Sequence, residues 1–290
     1  MNTEINISGN TNCDFSASSY LEKVRQKKPL VHHITNWVTI YDCANITRAI
    51  GALPVMAHAR EEAAQMASIA DALVLNIGTL TTDLVESMIL AGKAANKKDI
   101  PVILDAVGAG ATDFRTKTVK EILKNVKVSV LKGNSSEIGT IAGAEAETKG
   151  VEAISVKGNL IEIAKNLAIK EGLIVVITGK EDIISNGINT YICKNGHVML
   201  SRFVGTGCMA TSIIGVFSAV EKDFVATEVK NYAQNYLFSS AAALCCFGIA
   251  GELAAKKASG PGSYKINFFD EIYNLNKELV DKLKKIEKAS

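Results

Sequence analysis

The chain has 290 residues, of which 48% are hydrophobic and 21% are charged, and 32 lysines and arginines against 30 aspartates and glutamates give a net charge of +2. This composition is typical of a globular protein and excludes a disordered or collagen-like chain. Because the charge is nearly balanced, no strongly basic face is available for nucleic acid, and we expect no nucleic-acid partner.

The N-terminal residues 1–18 form a polar extension that lacks the apolar run of a signal peptide, which predicts a cytoplasmic protein. An uncharged segment at 231–251 is just long enough to cross a membrane, but it contains Gln234 and Asn235 among many alanines. We therefore expect a helix buried in the core and no membrane partner. The six cysteines have no metal-binding spacing and predict neither a zinc site nor a disulfide framework: Cys13, Cys43, Cys193, Cys208, Cys245 and Cys246.

Short apolar runs rich in β-branched residues recur along the first part of the chain, and each ends in polar or glycine-rich residues before a helical pattern. These runs lie at 30–34, 72–75, 102–104, 128–131 and 173–177. Helical patterns such as 82–96 and 159–170 separate them. Continuous apolar strands that alternate with helices predict a parallel sheet covered on both faces.

The pattern changes after Thr178. Three strand-like runs at 182–185, 189–194 and 197–203 are separated by Asn-Gly dipeptides, which favour tight hairpin turns and predict an antiparallel margin. From Cys208 the pattern is helical almost to the end, with an interruption at 259–263 and a solvated terminal helix over 277–285. The sequence thus predicts an α/β fold in which residues 1–290 form a single domain.

Polar residues follow the predicted strands at the edge where open α/β sheets bind ligands. These residues are Asn36, Asn76, Asp105, Lys132, Asn134, Glu137 and Thr178. Two carboxylates and one ammonium suit a polyphosphate that carries Mg²⁺. Position alone leaves other readings open: Lys132 could be a surface lysine, and Asp105 and Glu137 could cap helices or lie in turns.

The turn Gly205-Thr206-Gly207 precedes a helical pattern and would direct free backbone N–H groups at an anion. Cys208 follows it in the first turn of the predicted helix, where the helix dipole is expected to lower the pKa of the thiol. Such a thiol could accept a proton from an alcohol that attacks phosphorus. The alternative for Cys208 is a small residue that packs the turn.

Taken together, several segments resemble the hydroxyethylthiazole kinase family of the ribokinase-like superfamily. They lie at 29–36, 51–57, 76–80, 132–138, 205–208 and 260–264, within a similarity that runs from about residue 20 to 270. A cysteine after the glycine turn is typical of this family, whereas the wider superfamily usually has aspartate there. The resemblance implies a ribokinase-like three-layer sandwich with a mostly parallel central sheet and helices on both faces.

The resemblance also implies an activity: ATP- and Mg²⁺-dependent phosphorylation of the hydroxyl of 4-methyl-5-(2-hydroxyethyl)thiazole, in thiamine biosynthesis and salvage. By motif, the thiazole would contact Asn36, Val38, Met56 and Gly205. Members of the family are typically homotrimers with substrate sites at subunit boundaries, and we expect the same assembly here.

The remaining roles follow from the same resemblance. Lys132 and Thr178 would contact ATP, Asp105 and Glu137 would organise Mg²⁺, and Cys208 would be the catalytic base. The anion hole would consist of Gly205, Thr206, Gly207 and Cys208. One departure is visible, because relatives usually have Asp-Pro-Val-Gly where this chain has Asp105-Ala106-Val107-Gly108. Alanine leaves the backbone freer there than proline would.

Two other functions are compatible with this fold class. An ATP-dependent NAD(P)H-hydrate dehydratase shares the superfamily fold, but Cys208 in place of aspartate counts against it. A non-catalytic sensor of nucleotide or of a thiamine precursor would not need a proton acceptor, so the combination of Asp105, Lys132, Glu137 and Cys208 favours an enzyme.

Overall fold

The computed structural model describes residues 15–144, 146–149, 152–156, 158–224 and 232–289. The strands are β1 (Leu30–Ile34), β2 (Leu53–Val55), β3 (Ala72–Asn76), β4 (Val102–Asp105), β5 (Val130–Asn134), β6 (Ala146–Lys149), β7 (Glu152–Val156), β8 (Ile174–Thr178), β9 (Asp182–Ser185), β10 (Thr190–Cys193) and β11 (Ile286–Lys288). The α-helices are α1 (Ala17–Lys27), α2 (Ile40–Ile50), α3 (Arg60–Ile69), α4 (Thr82–Lys98), α5 (Asp113–Asn125), α6 (Ser135–Ala142), α7 (Leu160–Glu171), α8 (Thr206–Ser218), α9 (Tyr232–Ala255), α10 (Pro261–Asn274) and α11 (Lys277–Leu283).

A nine-stranded sheet organises the fold, in the order β11-β10-β9-β8-β5-β4-β3-β1-β2. Within this sheet the pairs among β2, β1, β3, β4, β5 and β8 are parallel, whereas β9, β10 and β11 pair antiparallel at the other margin. Strands β6 and β7 form a separate two-stranded antiparallel sheet. The five predicted parallel strands are confirmed as β1, β3, β4, β5 and β8. Strand β2 was not predicted; it is only three residues long and contains Pro54, which is tolerated because β2 is an edge strand.

Helices cover both faces of the sheet because successive residues of the buried strands point to opposite sides. In β3, Val74 packs in a core with α1, α2, α8, α9 and α10. Its neighbours Leu73 and Leu75 pack on the other face against α3, α4, α5 and α7. The result is the predicted three-layer α/β sandwich.

The predicted strand at 197–203 is wrong, because Val198–Arg202 forms a 3₁₀ helix. The His197 side chain caps this helix by accepting the Met199 N–H at 3.2 Å, which satisfies a donor that a strand would pair with its neighbour. The third antiparallel strand is instead β11, near the end of the chain, which pairs with β10. The predicted terminal helix is confirmed in part as α11, which ends at Leu283 before β11 begins.

The long apolar helix α9 is a core helix, as predicted. Its segment Tyr236–Ala255 is long and apolar enough to cross a membrane, but 83% of its most apolar stretch is buried inside the structure. Helix α1 begins at Ala17, so the last residues of the polar N-terminal extension are already helical. The described cysteines are free; Cys208 is half-buried, whereas the others are buried: Cys43, Cys193, Cys245 and Cys246. Cys13 lies outside the described residues.

Candidate active site

Polar side chains at the ends of β1, β3 and β4 form one chain of hydrogen bonds that reaches α8. Asn36 Nδ2 donates to Asn76 Oδ1 at 3.0 Å and lies 3.3 Å from Cys208 Sγ. Asn76 Nδ2 donates in turn to Asp105 Oδ2 at 2.9 Å. Parallel strands bring these ends to the same edge of the sheet, and α8 packs against all three strands. The thiol is therefore linked through two amides to a buried carboxylate.

Asp105 and Lys132 form a buried ion pair at the centre of this edge. The Lys132 ammonium lies 3.1 Å from Asp105 Oδ1 and donates to the Gly207 carbonyl at 3.2 Å. Asp105 Oδ2 also accepts the Thr211 hydroxyl at 2.7 Å. Burial opposes the charge on Lys132, but the carboxylates of Asp105 and Glu137 outweigh it and raise the pKa of Lys132, so the side chain stays a cation. Lys132 is thus not a surface lysine, and Asp105 is not a helix cap.

Glu137 is buried at the start of α6 and belongs to a capping box with Asn134. Its Oε2 accepts the Asn134 N–H at 2.7 Å, and its Oε1 accepts the Gly108 N–H at 2.7 Å. Burial raises the pKa of Glu137 to about 7, although Lys132 acts in the opposite direction. The capping alternative is therefore correct, and each carboxylate oxygen can still accept a further bond, since it has a second lone pair.

The N-terminus of α8 is shaped for close approach of an anion. Gly205 has φ of 100°, and a Cβ added there would lie 2.7 Å from Thr39 Cγ2, so only glycine fits. In the described part of the chain no side chain caps this helix. The N–H groups of Thr206, Gly207 and Cys208 are therefore left for a ligand.

The environment of Cys208 contradicts one expectation. Burial is the main influence and raises the pKa of the thiol, the charge of Asp105 acts in the same direction, and Lys132 only partly opposes them. The helix N-terminus was expected to lower this pKa, but removal of the thiol from water has the larger effect. At neutral pH the thiol is therefore mostly protonated, and a role as a base depends on the minor thiolate form.

The other predicted site residues lie outside this hydrogen-bond chain. Thr178 ends β8, and its hydroxyl donates to the Gly133 carbonyl at 3.4 Å. Val38 is 68% exposed in the loop after β1, and Met56 is half-buried in the loop after β2. The two loops are in contact, because the rings of Trp37 and His58 meet edge to face with centroids 4.6 Å apart.

Sequence reasoning missed Thr211 and the Trp37–His58 contact. Thr211 follows Cys208 by three residues and so lies on the same side of α8, a spacing that could have indicated it. No local pattern connects Trp37 with His58, since only the pairing of β1 with β2 brings their loops together. Ala106, where the resemblance leads us to expect proline, donates its N–H to the Lys132 carbonyl at 2.9 Å, a bond that proline cannot make.

The fold is ribokinase-like. A ribokinase-like superfamily protein from Enterococcus faecalis aligns with a TM-score of 0.59 at 13% identity, over 91% of this chain and 90% of that one. The structure of a hydroxyethylthiazole kinase protein from Pyrococcus horikoshii aligns with a TM-score of 0.83 at 38% identity, over 94% of this chain and 99% of that one.

Sequence comparison gives the family. The sequence profile of the hydroxyethylthiazole kinase family matches residues 21–278. The hydroxyethylthiazole kinase of Methanosarcina mazei is 55% identical over 92% of this chain and 98% of its own length. That of Thermoanaerobacter pseudethanolicus is 54% identical over 92% of this chain and 97% of its own length. The chain belongs to the hydroxyethylthiazole kinase family.

Proposed function

We propose that the protein transfers the γ-phosphate of ATP to the hydroxyl of 4-methyl-5-(2-hydroxyethyl)thiazole, in thiamine biosynthesis and salvage. Family membership over most of the chain supports this activity. The structural observation that carries it is the uncapped turn at Gly205–Cys208, which includes the Cys208 thiol and whose Gly207 carbonyl accepts a bond from the Lys132 ammonium. A phosphoryl group bound there would lie near both a cation and a proton acceptor.

ATP would bind with its terminal phosphate at the N-terminus of α8. The N–H groups of Thr206, Gly207 and Cys208 would donate to the phosphate oxygens, while Lys132 would offset their charge. Thr178, at the end of β8, would contact the nucleotide. The buried ion pair with Asp105 holds the Lys132 ammonium in place before ATP arrives.

The donor set fits Mg²⁺ only as a metal that ATP brings with it. The described residues contain no cluster of three or more His, Cys, Asp or Glu side chains that could hold a metal alone. Mg²⁺ commonly takes one or two protein carboxylates and completes its shell with phosphate oxygens and water. Glu137 would supply this carboxylate, and Asp105, already paired with Lys132, would act behind it. When bound, the metal offsets charge on the transferred phosphate.

The alcohol would lie against Asn36, Val38, Met56 and Gly205, with its hydroxyl facing Cys208. Asn36 Nδ2 directed at Cys208 Sγ favours the thiolate, because an N–H donor stabilises the charged form of its acceptor. The thiolate would accept the hydroxyl proton at Sγ as the oxygen attacks the γ-phosphorus in line. Asn36 itself is held by the N–H groups of Val38 and Thr39, each 3.1 Å from its Oδ1.

We further propose that residues 1–290 form one kinase domain and assemble as a cytoplasmic homotrimer with sites at subunit boundaries. One nine-stranded sheet contains both β1, near the start of the described residues, and β11, near their end, which supports the single domain. Exposed apolar side chains next to the site support burial against a second subunit: Val38, Tyr41 and Val204 are 68%, 77% and 71% exposed. Sedimentation equilibrium of the full chain tests the trimer, and a monomer at micromolar concentration would contradict it.

A coupled assay of ADP formation tests the activity. The protein is incubated with MgATP alone, with added 4-methyl-5-(2-hydroxyethyl)thiazole, and with hydrated NADH instead. We expect ADP to form only with the thiazole alcohol. ADP formation that depends on hydrated NADH would indicate the dehydratase, and nucleotide binding without turnover on either substrate would indicate a sensor.

A further inference from the structure

One arginine links two of the loops that surround the site. Arg115 lies in the first turn of α5, and its Nη1 donates to the carbonyls of Ile77 at 2.9 Å and Val107 at 2.7 Å. Its Nη2 donates to the Gly78 carbonyl at 2.7 Å. A guanidinium presents its donors in a rigid plane, so three bonds to two loops fix the position of one loop relative to the other.

Each of these loops contacts a side chain of the site. In the loop after β3, the Gly78 N–H donates to Asn76 Oδ1 at 2.9 Å. In the loop after β4, the Gly108 N–H donates to Glu137 Oε1 at 2.7 Å. This second bond is one of two backbone bonds that hold the buried Glu137 carboxylate. The arginine therefore acts on Glu137 through the backbone of a loop, without contacting it.

Gly108 lies so close to Arg115 that a side chain there would be strained. Gly108 has φ of 75°, and a Cβ added there would lie 3.0 Å from both Arg115 Cδ and Arg115 Nη1. Gly108, whose N–H donates to Glu137, thus packs directly against the guanidinium. Loss of the guanidinium would leave a space under Gly108 and three carbonyls without their donor.

We infer that Arg115 is a positioning residue of the phosphoryl-transfer site: its forked bonds to the loops after β3 and β4 set the Gly108 N–H that orients Glu137. The inference rests on the proposed function for its catalytic consequence. Asn36 accepts the N–H groups of Val38 and Thr39 of its own loop, which Arg115 does not contact, and meets the loops held by the arginine only through Asn76. The alcohol side of the site therefore depends less on the arginine than the metal and phosphate side does.

The test compares Arg115→Ala and Arg115→Lys with Lys117→Ala. Lys117 is the matched control, because it is a cation on the same helical turn whose ion pair with Asp113 is exposed to solvent, at 77% and 95% for the two side chains. The first measurement is hydrogen exchange of the Gly108 amide by NMR, which needs no turnover. The second is steady-state kinetics, with titration of Mg²⁺ and of the thiazole alcohol. Guanidinium chloride at millimolar concentration is added to Arg115→Ala, with sodium chloride as the salt control.

We expect the Gly108 amide to exchange about 10-fold or more faster in both Arg115 variants than in Lys117→Ala. Half-saturation by Mg²⁺ should rise about 10-fold and kcat should fall about 10- to 100-fold, while KM for the alcohol stays within about twofold. The lysine variant should resemble the alanine variant, since one ammonium cannot span both loops. Free guanidinium should restore part of the Mg²⁺ response in Arg115→Ala.

Three results would overturn the inference. One is Gly108 exchange and Mg²⁺ titration in Arg115→Ala that match Lys117→Ala. Another is full recovery of both in Arg115→Lys, since positive charge alone would then suffice. The third is an equal rise in KM for the alcohol, which would indicate general loosening. If Arg115→Ala does not fold, Arg115→Lys supplies the same comparison. A wild type that forms no alcohol-dependent ADP would refute the proposed function, whereas Gly108 exchange would still report on the arginine.

Discussion

Removal of the charge on Lys132 tests the electrostatic centre of the site. Lys132→Met keeps most of the side-chain volume but leaves the Asp105 carboxylate, which is 0% exposed, without its ion-pair partner. Breaking one side of a buried pair typically costs about 3–5 kcal/mol. Asp105 keeps its bonds from Asn76 and Thr211, and hydrogen bonds to a charged group are worth about 1.5–3 kcal/mol each. We therefore expect a loss near the lower end, about 3 kcal/mol.

Urea unfolding followed by far-ultraviolet circular dichroism at pH 7.5 measures this loss. Lys93→Met is the control, because Lys93 is an exposed lysine of α4. The double variant Asp105→Asn/Lys132→Met removes both charges and should be more stable than the sum of the single changes predicts, by about 1 kcal/mol or more. The reasoning would be refuted if Lys132→Met were as stable as Lys93→Met, or if the single effects simply added.

Three further predictions concern the thiol, the carboxylate and the core. Cys208→Ala should lower kcat about 10²-fold. Because burial raises the thiol pKa, wild-type kcat should rise with pH above neutrality, and this rise should be absent in the variant. An undiminished kcat would exclude Cys208 as the catalytic base. Because the pKa of Glu137 is about 7, its reactive anion is lost as pH falls through 7. Wild-type kcat/KM for MgATP should therefore fall below pH 7. Glu137→Gln should need more Mg²⁺ and should not show this decrease at low pH; an unchanged decrease in the variant would mean that another group causes it. Gly215→Ala places a Cβ 2.5 Å from Val74 Cγ2 and should lower the free energy of unfolding by about 1–3 kcal/mol, whereas Gly262→Ala, with nothing within 4 Å, should not; equal effects would contradict the packing argument.

The parallel part of the sheet was predictable because its strands are buried on both faces. Continuous apolar runs rich in β-branched residues, such as Ile174–Thr178, favour strands covered on both faces, and the residues after them mark the sheet edge where ligands bind. The antiparallel margin of the sheet was less predictable. The run at 197–203 has strand-like composition, but its pairing edge is taken by β11, a partner distant in sequence that no local pattern reveals.

The candidate site shows a similar division. The positions of Asn36, Asp105 and Lys132 after their strands were sufficient to predict that they lie at one edge. The sequence could not show that Lys132 pairs with Asp105, or that burial raises the pKa of Cys208, because both depend on how closely α8 covers the strand ends. Arg115 carries no motif, since its bonds go to backbone carbonyls that any residue could provide.

A crystal structure with Mg²⁺, the thiazole alcohol and a non-hydrolysable ATP analogue tests the central claim most directly. We expect the terminal phosphate on the N–H groups of Gly207 and Cys208, beside Lys132. The alcohol oxygen should lie within about 4 Å of Cys208 Sγ and in line with the γ-phosphorus. A nucleotide bound away from the N-terminus of α8, or an alcohol whose oxygen points away from the thiol, would contradict the account.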